Sequence, residues 1–364
     1  EPAAAARTTA DDALLLYFTS GTTGQPKMVQ HVQSYALGHE ITARFWQDLS
    51  PDDIHWTVSD TGWAKAAWGK LFGQWIVGST VVMWNIVGKP DLARMLELIG
   101  ELGVTSFCAP PTIYRAFTQL DLSAYDWSSL RHCTAAGEPL NPEVIQVWQK
   151  ATGTTPYDGY GQTESVCLVV TPPSEPVKPG SMGRPAPGMQ VDVIDDDGRV
   201  LEDYEEGHIA VRTDEWPIGL FRGYWKDPEL TAEVFRNGWY YTGDRGRRDE
   251  DGYIWFIGRA DDVILSAAYR IGPFEVESAL AEHDAVAEAA VTITTGIGDA
   301  FPIDTSTPMI TIARSPGSGK GTPASSIPIS NATALYWCSS KKAISASRRS
   351  AKNSNMWWSD LPKR

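Results

Sequence analysis

The sequence predicts an α/β fold: a largely parallel sheet with helices against it, antiparallel β hairpins appended, and the start of a small α+β unit behind them. Three observations carry this expectation. From residue 13 to about 160, short apolar runs alternate with amphipathic stretches, the pattern of βα units around a parallel sheet. Beyond Gly183 the texture changes to strands punctuated by turns. After Asp262 a helical pattern and an alternating apolar segment open a further unit.

Taken in order, ALLLYF at 13–18 reads as the first strand, followed by a glycine-rich turn and a helical pattern; DIHWTVS at 53–59 and STVVMW at 79–84 read as further strands. The segment DLARMLELIGELGV sets Leu92, Met95, Leu96, Ile99 and Leu102 on one helical stripe. Asn141 before Pro142 supplies an N-cap and a first-turn proline for EVIQVWQKAT, and Gly153 stops it. MQVDVI, the turn DDDG at 195–198, HIAVR, NGWYYTGD and DEDGYIWFIG read as hairpins, and PFEVESALAEH and AEAAV as the helix and strand of the last unit. The expected division is 1–182 for the α/β part, 183–258 for the β-rich part, 259–291 for the start of the small domain, and 292–364 for an atypical tail. That tail holds 13 Ser and 8 Thr, so coil without a packed core is expected there.

Composition narrows the function. The chain has 364 residues and 42% hydrophobic content, enough for a sizeable core. Its 45 acidic and 31 basic side chains leave a net charge of -14. All but three of the acidic groups precede residue 292, and so acidic a body disfavours nucleic acid as a partner. Four scattered cysteines form no C-x-x-C pair and no H-E-x-x-H occurs, which speaks against a disulfide scaffold or a zinc site. The most apolar stretch, from Leu71 to Trp84, is too short to span a membrane, so no integral membrane association is expected. Glu1 is not an initiator and acidic residues follow it where a secretory leader carries basic ones, so the chain is expected to be a fragment or a processed chain. Compartment stays open between cytoplasm and mitochondrial matrix, and no feature fixes an oligomeric state.

The strongest local feature is Thr19-Ser20-Gly21-Thr22-Thr23-Gly24-Gln25-Pro26-Lys27, directly after the first strand. Glycines allow a tight backbone, hydroxyls and N–H groups can surround anionic oxygens, and Lys27 adds positive charge, so the loop suits phosphate. It lacks the G-K-[ST] of a P-loop.

Further motifs follow in order: YFTSGTTGQPKM (17–28), SDTGW (59–63), AAGEPL (135–140), YGQTE (160–164), YTGDRG (241–246), GRADDVI (258–264) and YRIGPFEVESAL (269–280). With these motifs, residues 13–291 resemble the AMP-forming acyl-CoA synthetases of the adenylate-forming superfamily, most closely the medium-chain group. The resemblance implies the large domain of an adenylate-forming enzyme followed by the start of its small C-terminal domain. It implies an acid–thiol ligase that uses ATP, Mg2+ and CoA to turn a carboxylic acid into an acyl-adenylate and then a thioester.

The resemblance also implies residue roles. Thr19 to Lys27 would hold the ATP phosphates, while Gly137, Glu138 and Pro139 line the adenine site and Asp158, Gly159, Tyr160, Gly161 and Gln162 complete the nucleotide site. Tyr160 would stack on adenine, Thr163 contact the α-phosphate and Glu164 bind magnesium, so that Lys27, Thr163 and Glu164 carry the chemistry. Asp244 would accept from the ribose hydroxyls and Arg259 reach the same nucleotide. Trp63 would wall the acyl pocket, Ala267, Ala268, Tyr269 and Arg270 would lie toward CoA, and Asp261 would be the hinge.

The sequence departs from that family in three places. The family carries a further N-terminal region ahead of the phosphate loop. Its Ser-Gly-Tyr beside CoA reads Ala267-Ala268-Tyr269 here, and a β-carbon at Ala268 puts CoA binding in doubt. Its terminal lysine has no good counterpart, since Lys320 follows Tyr269 too closely; it is read as a coincidental match. Met356-Trp357-Trp358, with single-codon residues, reads as Val-Val when shifted by two bases, so translation out of frame is one expectation for the tail. Two alternatives share the nucleotide motifs: an inactive truncated paralogue that binds nucleotide, and a ligase that activates aryl acids.

Overall fold

The computed structural model describes residues 7–19, 26–85, 88, 90–138 and 140–260, and in the remainder 264–266, 269–271, 276, 286–293, 308–314 and 325–328. The chain divides into two compact units, Glu1–Asp261 and Asp262–Arg364, each described by itself.

The first unit opens with strands β1 (Ala13–Thr19) and β2 (Lys27–Val32), then helix α1 (Tyr35–Phe45), β3 (Ile54–Thr57), α2 (Lys65–Lys70), α3 (Phe72–Val77) and β4 (Thr80–Val81). It continues through α4 (Leu92–Glu101), β5 (Ser106–Ala109), α5 (Pro111–Phe117), β6 (His132–Ala136), α6 (Pro142–Thr152), β7 (Pro156–Gly161), β8 (Cys167–Val170) and β9 (Arg184–Pro185). These build a seven-stranded sheet in the order β4-β3-β5-β6-β7-β8-β9. Pairing is parallel from β4 to β7 and antiparallel from β7 to β9.

β5 and β6 are buried along their whole length, as central strands of a parallel sheet covered on both faces must be. Phe107 of β5 is the hub of an aromatic core, with Trp56, Tyr114, Phe117 and Trp148 around it. α4 delivers Met95, Leu96 and Ile99 to that core, whereas Leu102 at the end of the expected stripe is exposed. Asp91 caps α4 by accepting from Arg94 N, and Asn141 caps α6 by accepting from Glu143 N. Gly153 stops α6 in the left-handed conformation.

Next come β10 (Val191–Ile194), β11 (Glu206–Arg212), β12 (Gly223–Tyr224), α7 (Pro228–Val234), β13 (Phe235–Arg236), β14 (Trp239–Arg248) and β15 (Ile254–Arg259). β10, β11, β14 and β13 form an antiparallel sheet in that order, with β15 also paired to β14. These are the hairpins that the turn residues predict.

The structure corrects the sequence reading in three places. β1 is not part of the parallel sheet; it pairs antiparallel with β2 in a separate sheet of order β1-β2-β12. The strand expected over 79–84 is confined to Thr80–Val81. The tail expected to be coil carries strand: β19 (Pro308–Arg314) and β20 (Ser325–Pro328) form an antiparallel sheet with β18 (Val286–Ile293), which holds the expected strand AEAAV, and ahead of them in the second unit β16 (Ile264–Ser266) pairs with β17 (Tyr269–Ile271). In PMITIAR, Ile310 and Ile312 flank Thr311, an alternation that suits a strand despite the Ser/Thr-rich composition. The shifted-frame reading at Met356 and the Lys320 match lie outside the described residues.

Candidate nucleotide and acid site

In the first unit, parallel strands β3, β6 and β7 release the chain at their carboxyl ends into the segments that carry SDTGW, AAGEPL and YGQTE. That end of a parallel sheet is where α/β folds place ligands. The β1–β2 hairpin adds a second wall, since Thr19 and Lys27 are cross-strand partners that bracket the glycine-rich loop. A third wall comes from β14 and β15, in which Asp244 and Arg259 are cross-strand partners. One cleft of ≈ 720 Å³ is bordered by all three.

Of the residues singled out in the sequence, Thr19, Lys27, Trp63, Gly137, Glu138, Asp158, Gly159, Tyr160, Gly161, Gln162, Thr163, Glu164, Asp244 and Arg259 line this cleft. Pro26 is described beside Lys27. Ser20, Gly21, Thr22, Thr23, Gly24, Gln25, Pro139, Asp261, Ala267 and Ala268 lie outside the described residues, and Tyr269 and Arg270 belong to β17 of the second unit.

Inside the cleft the polar groups are ordered by one another. Tyr160 donates its phenol to Asp244 Oδ2 at 2.5 Å, and Gln162 Nε2 donates to the same oxygen at 2.7 Å. Tyr240 donates to Gln162 Oε1 at 2.8 Å, and Gln162 also donates to the Thr242 carbonyl. Burial and the Asp244 carboxylate hold the Tyr160 phenol well above its ordinary range, so it stays a donor. Glu164 is buried and accepts from the Tyr224 hydroxyl at 2.9 Å. Burial raises its pKa, while Lys27 and Arg259 pull it back down. Asp158 is pushed up to about 8 by burial, against the N–H of Gly159, which donates to it.

The glycines of the β7 motif have a packing reason. A β-carbon at Gly159 would meet the Trp46 ring at 2.5 Å, and one at Gly161 would meet the Val166 carbonyl oxygen at 2.5 Å and the Trp68 ring at 2.8 Å. Both residues let the strand lie flat on its neighbours.

Several cleft or supporting residues were not legible in the sequence. Lys65 is buried, donates to the Ala136 carbonyl, has its pKa lowered by burial, and sits with its side-chain nitrogen beside Gly137. Trp68 is a buried wall, while Trp63, the expected one, is 65% exposed and stands at the rim. Tyr224 faces Glu164 from β12. His31 on β2 donates Nε2–H to the Thr163 carbonyl at 2.7 Å and, with its pKa down to about 4 through burial, is neutral at pH 7. The one signal in sequence was position: Lys65 and Trp68 follow SDTGW directly, and His31 follows Lys27 by four residues.

No group of three or more His, Cys, Asp or Glu side chains among the described residues could cage a metal. The cleft is lined by the buried carboxylates of Asp158, Glu164 and Asp244, and oxygen donors of this kind fit a hard cation such as Mg2+, which binds through one or two carboxylates and the phosphates of its substrate.

A family model described as AMP-binding enzyme matches residues 1–225. The chain belongs to the AMP-binding enzyme family. Within it, the chain is 48% identical over 283 residues to the mitochondrial acyl-coenzyme A synthetase ACSM3 of Rattus norvegicus, covering 77% of this chain and 49% of that protein. It is 51% identical over 286 residues to 4-hydroxybutyrate–CoA ligase 1 of Metallosphaera sedula, covering 78% and 50%. Among solved structures, it is similar to the anthranilate CoA ligase AuaEII in complex with anthranoyl-AMP (TM-score 0.78, 30% identity, 88% of this chain and 60% of that one). It is likewise similar to an acyl-CoA synthetase of Brucella canis (TM-score 0.66, 36% identity, 87% and 57%). The chain spans about half the length of the curated relatives it matches. The fold is that of the adenylate-forming large domain, α/β with antiparallel strands, as the sequence predicts. No described helix is long and apolar enough to cross a membrane.

Proposed function

We propose that this chain activates a carboxylic acid with ATP, releasing pyrophosphate and forming an acyl-adenylate, and then passes the acyl group to the thiol of CoA with release of AMP. The observation that carries the reading is that the hairpin ends Thr19 and Lys27, the segment Tyr160 to Glu164, and the pair Asp244 and Arg259 border one cleft. In the first step a carboxylate oxygen attacks the α-phosphorus and the bond to pyrophosphate breaks. Two anions must meet, so the site has to offset their repulsion and stabilise the leaving group.

Lys27 and Arg259 supply positive charge, and Thr163 a hydroxyl toward the α-phosphate. Tyr160 offers its ring to adenine, and Asp244 exchanges the Tyr160 and Gln162 donors for the ribose hydroxyls. Glu164 would hold Mg2+, which when bound neutralises phosphate charge and polarises the phosphoryl oxygens. Trp63 and Trp68 face the acyl part, and Lys65 offers a donor beside it. The name of the relative ACSM3 favours the mitochondrial matrix over the cytoplasm for this chain.

The test is acid-dependent pyrophosphate release with ATP and Mg2+, over an acid panel from butyrate to decanoate plus 4-hydroxybutyrate and benzoate, with and without CoA. Release only in the presence of an acid, and thioester only when CoA is added, supports the reading. ATP binding without release under any acid contradicts it and leaves a nucleotide-binding protein.

A further inference from the structure

Tyr224 touches both Glu164 and Lys27. Its hydroxyl donates to Glu164 Oε1 at 2.9 Å, and its ring lies beneath the Lys27 ammonium, 5.5 Å from Nζ to the centroid. The topology explains the meeting. β12 pairs with β2 so that Tyr224 stands opposite Val29, two residues from Lys27 on the same strand face.

The segment also grips Glu164 at its backbone, because Phe221 N–H donates to the Glu164 carbonyl at 2.9 Å. Tyr224 is fixed in turn: its N–H donates to Thr231 Oγ1 at 2.9 Å, and that hydroxyl donates to the Asp227 carbonyl at 2.7 Å. Thr231 lies so close to Gly223 that a β-carbon there would meet its methyl at 2.8 Å. The phenol is therefore held from behind and aimed at the carboxylate.

We propose that Tyr224 is a positioning residue of the phosphate–magnesium centre. It holds the Glu164 carboxylate in the orientation that takes the metal, and it supports the Lys27 ammonium through cation–π attraction, so metal and phosphate binding are coupled through one side chain. This rests on the reading of the cleft as an ATP site, and it adds a residue and a division of labour to that reading: the hydroxyl serves the metal, the ring serves the lysine.

Two variants separate the two contacts. Tyr224→Phe keeps the ring and removes the hydroxyl; Tyr224→Leu removes both. The measurement is calorimetric ATP binding by the whole chain at a series of Mg2+ concentrations and in EDTA, with thermal unfolding alongside. For Tyr224→Phe the Mg2+ needed for half-maximal enhancement of ATP binding rises by about tenfold, the loss of one hydrogen bond to a charged group, while binding in EDTA is unchanged. For Tyr224→Leu binding in EDTA falls as well.

A Tyr224→Phe protein with the wild-type Mg2+ dependence overturns the proposal. So does one that loses ATP affinity equally with and without Mg2+, since that marks a purely structural effect. Wild-type protein that binds no ATP overturns the parent reading of the cleft, and with it this one.

Discussion

Tyr160 at the end of β7 donates its phenol to Asp244 Oδ2 in β14 at 2.5 Å, so an aromatic ring and a carboxylate drawn from two different sheets hold each other inside the cleft. Gln162 shares the same oxygen and is itself held by Tyr240. On the proposed function, a nucleotide entering the cleft would exchange those donors for its own hydroxyls.

Removing the carboxylate and removing the phenol therefore differ in cost. Asp244→Ala lowers ATP affinity by about 10- to 150-fold, the loss of hydrogen bonds to a charged acceptor. Tyr160→Phe keeps the ring and leaves Gln162 on the carboxylate, so its loss stays below about tenfold. Isothermal titration with ATP ranks the two; an inverted order contradicts the assigned roles.

Gly161 lies so close to Val166 and Trp68 that any side chain collides with them. Gly161→Ala destabilises the fold by about 1 to 3 kcal/mol, the cost of overpacking a tight contact. It also displaces Gln162 and Thr163, so urea midpoint and ATP affinity fall together.

Asn141 acts only on the fold. Its side chain satisfies Glu143 N at the start of α6, away from the polar network of the cleft. Asn141→Ala costs about 1 kcal/mol of stability and leaves ATP affinity unchanged, as chemical denaturation and titration on the same sample would show.

Acid sensitivity follows from buried imidazoles. Burial pushes His31 down to about 4 and His39 to about 3, whereas a histidine in the unfolded chain titrates near 6.5. Above pH 6.5 neither state takes up the protons. As pH falls from 6.5 toward 4, the unfolded chain binds protons that the folded chain refuses, so stability drops. Both nitrogens of His39 lack a hydrogen-bond partner among the described residues, and its ring sits between Tyr35 and Phe72. His39→Phe keeps an aromatic ring there and removes one of those sites. The difference in urea midpoint between pH 7 and pH 5 shrinks in that variant.

The parts of this protein legible in its sequence are those in which one short segment carries the signal. Asn141 and Gly153 mark the ends of α6 because capping is local, and the YGQTE and YTGDRG motifs point to Tyr160 and Asp244 through the family resemblance that those short segments carry. Pairing direction is not local. The apolar run at 13–18 reads equally well as a parallel or an antiparallel strand, and only its partner β2 decides. Tyr224 and Trp68 were missed for the same reason. An aromatic residue gains a site role only when the topology sets it beside Glu164 or in the cleft wall, and nothing in its own neighbourhood in sequence says so. Trp63 carries the clearer motif and yet lies at the rim.

On the proposed function, the cleft joins an acid to the α-phosphate of ATP. Exchange of labelled pyrophosphate into ATP tests that step alone, without CoA. The expected exchange requires Mg2+ and a carboxylic acid, is indifferent to CoA, and falls by at least about tenfold in Asp244→Ala. Exchange that is absent with every acid, or that proceeds equally without one, would contradict it.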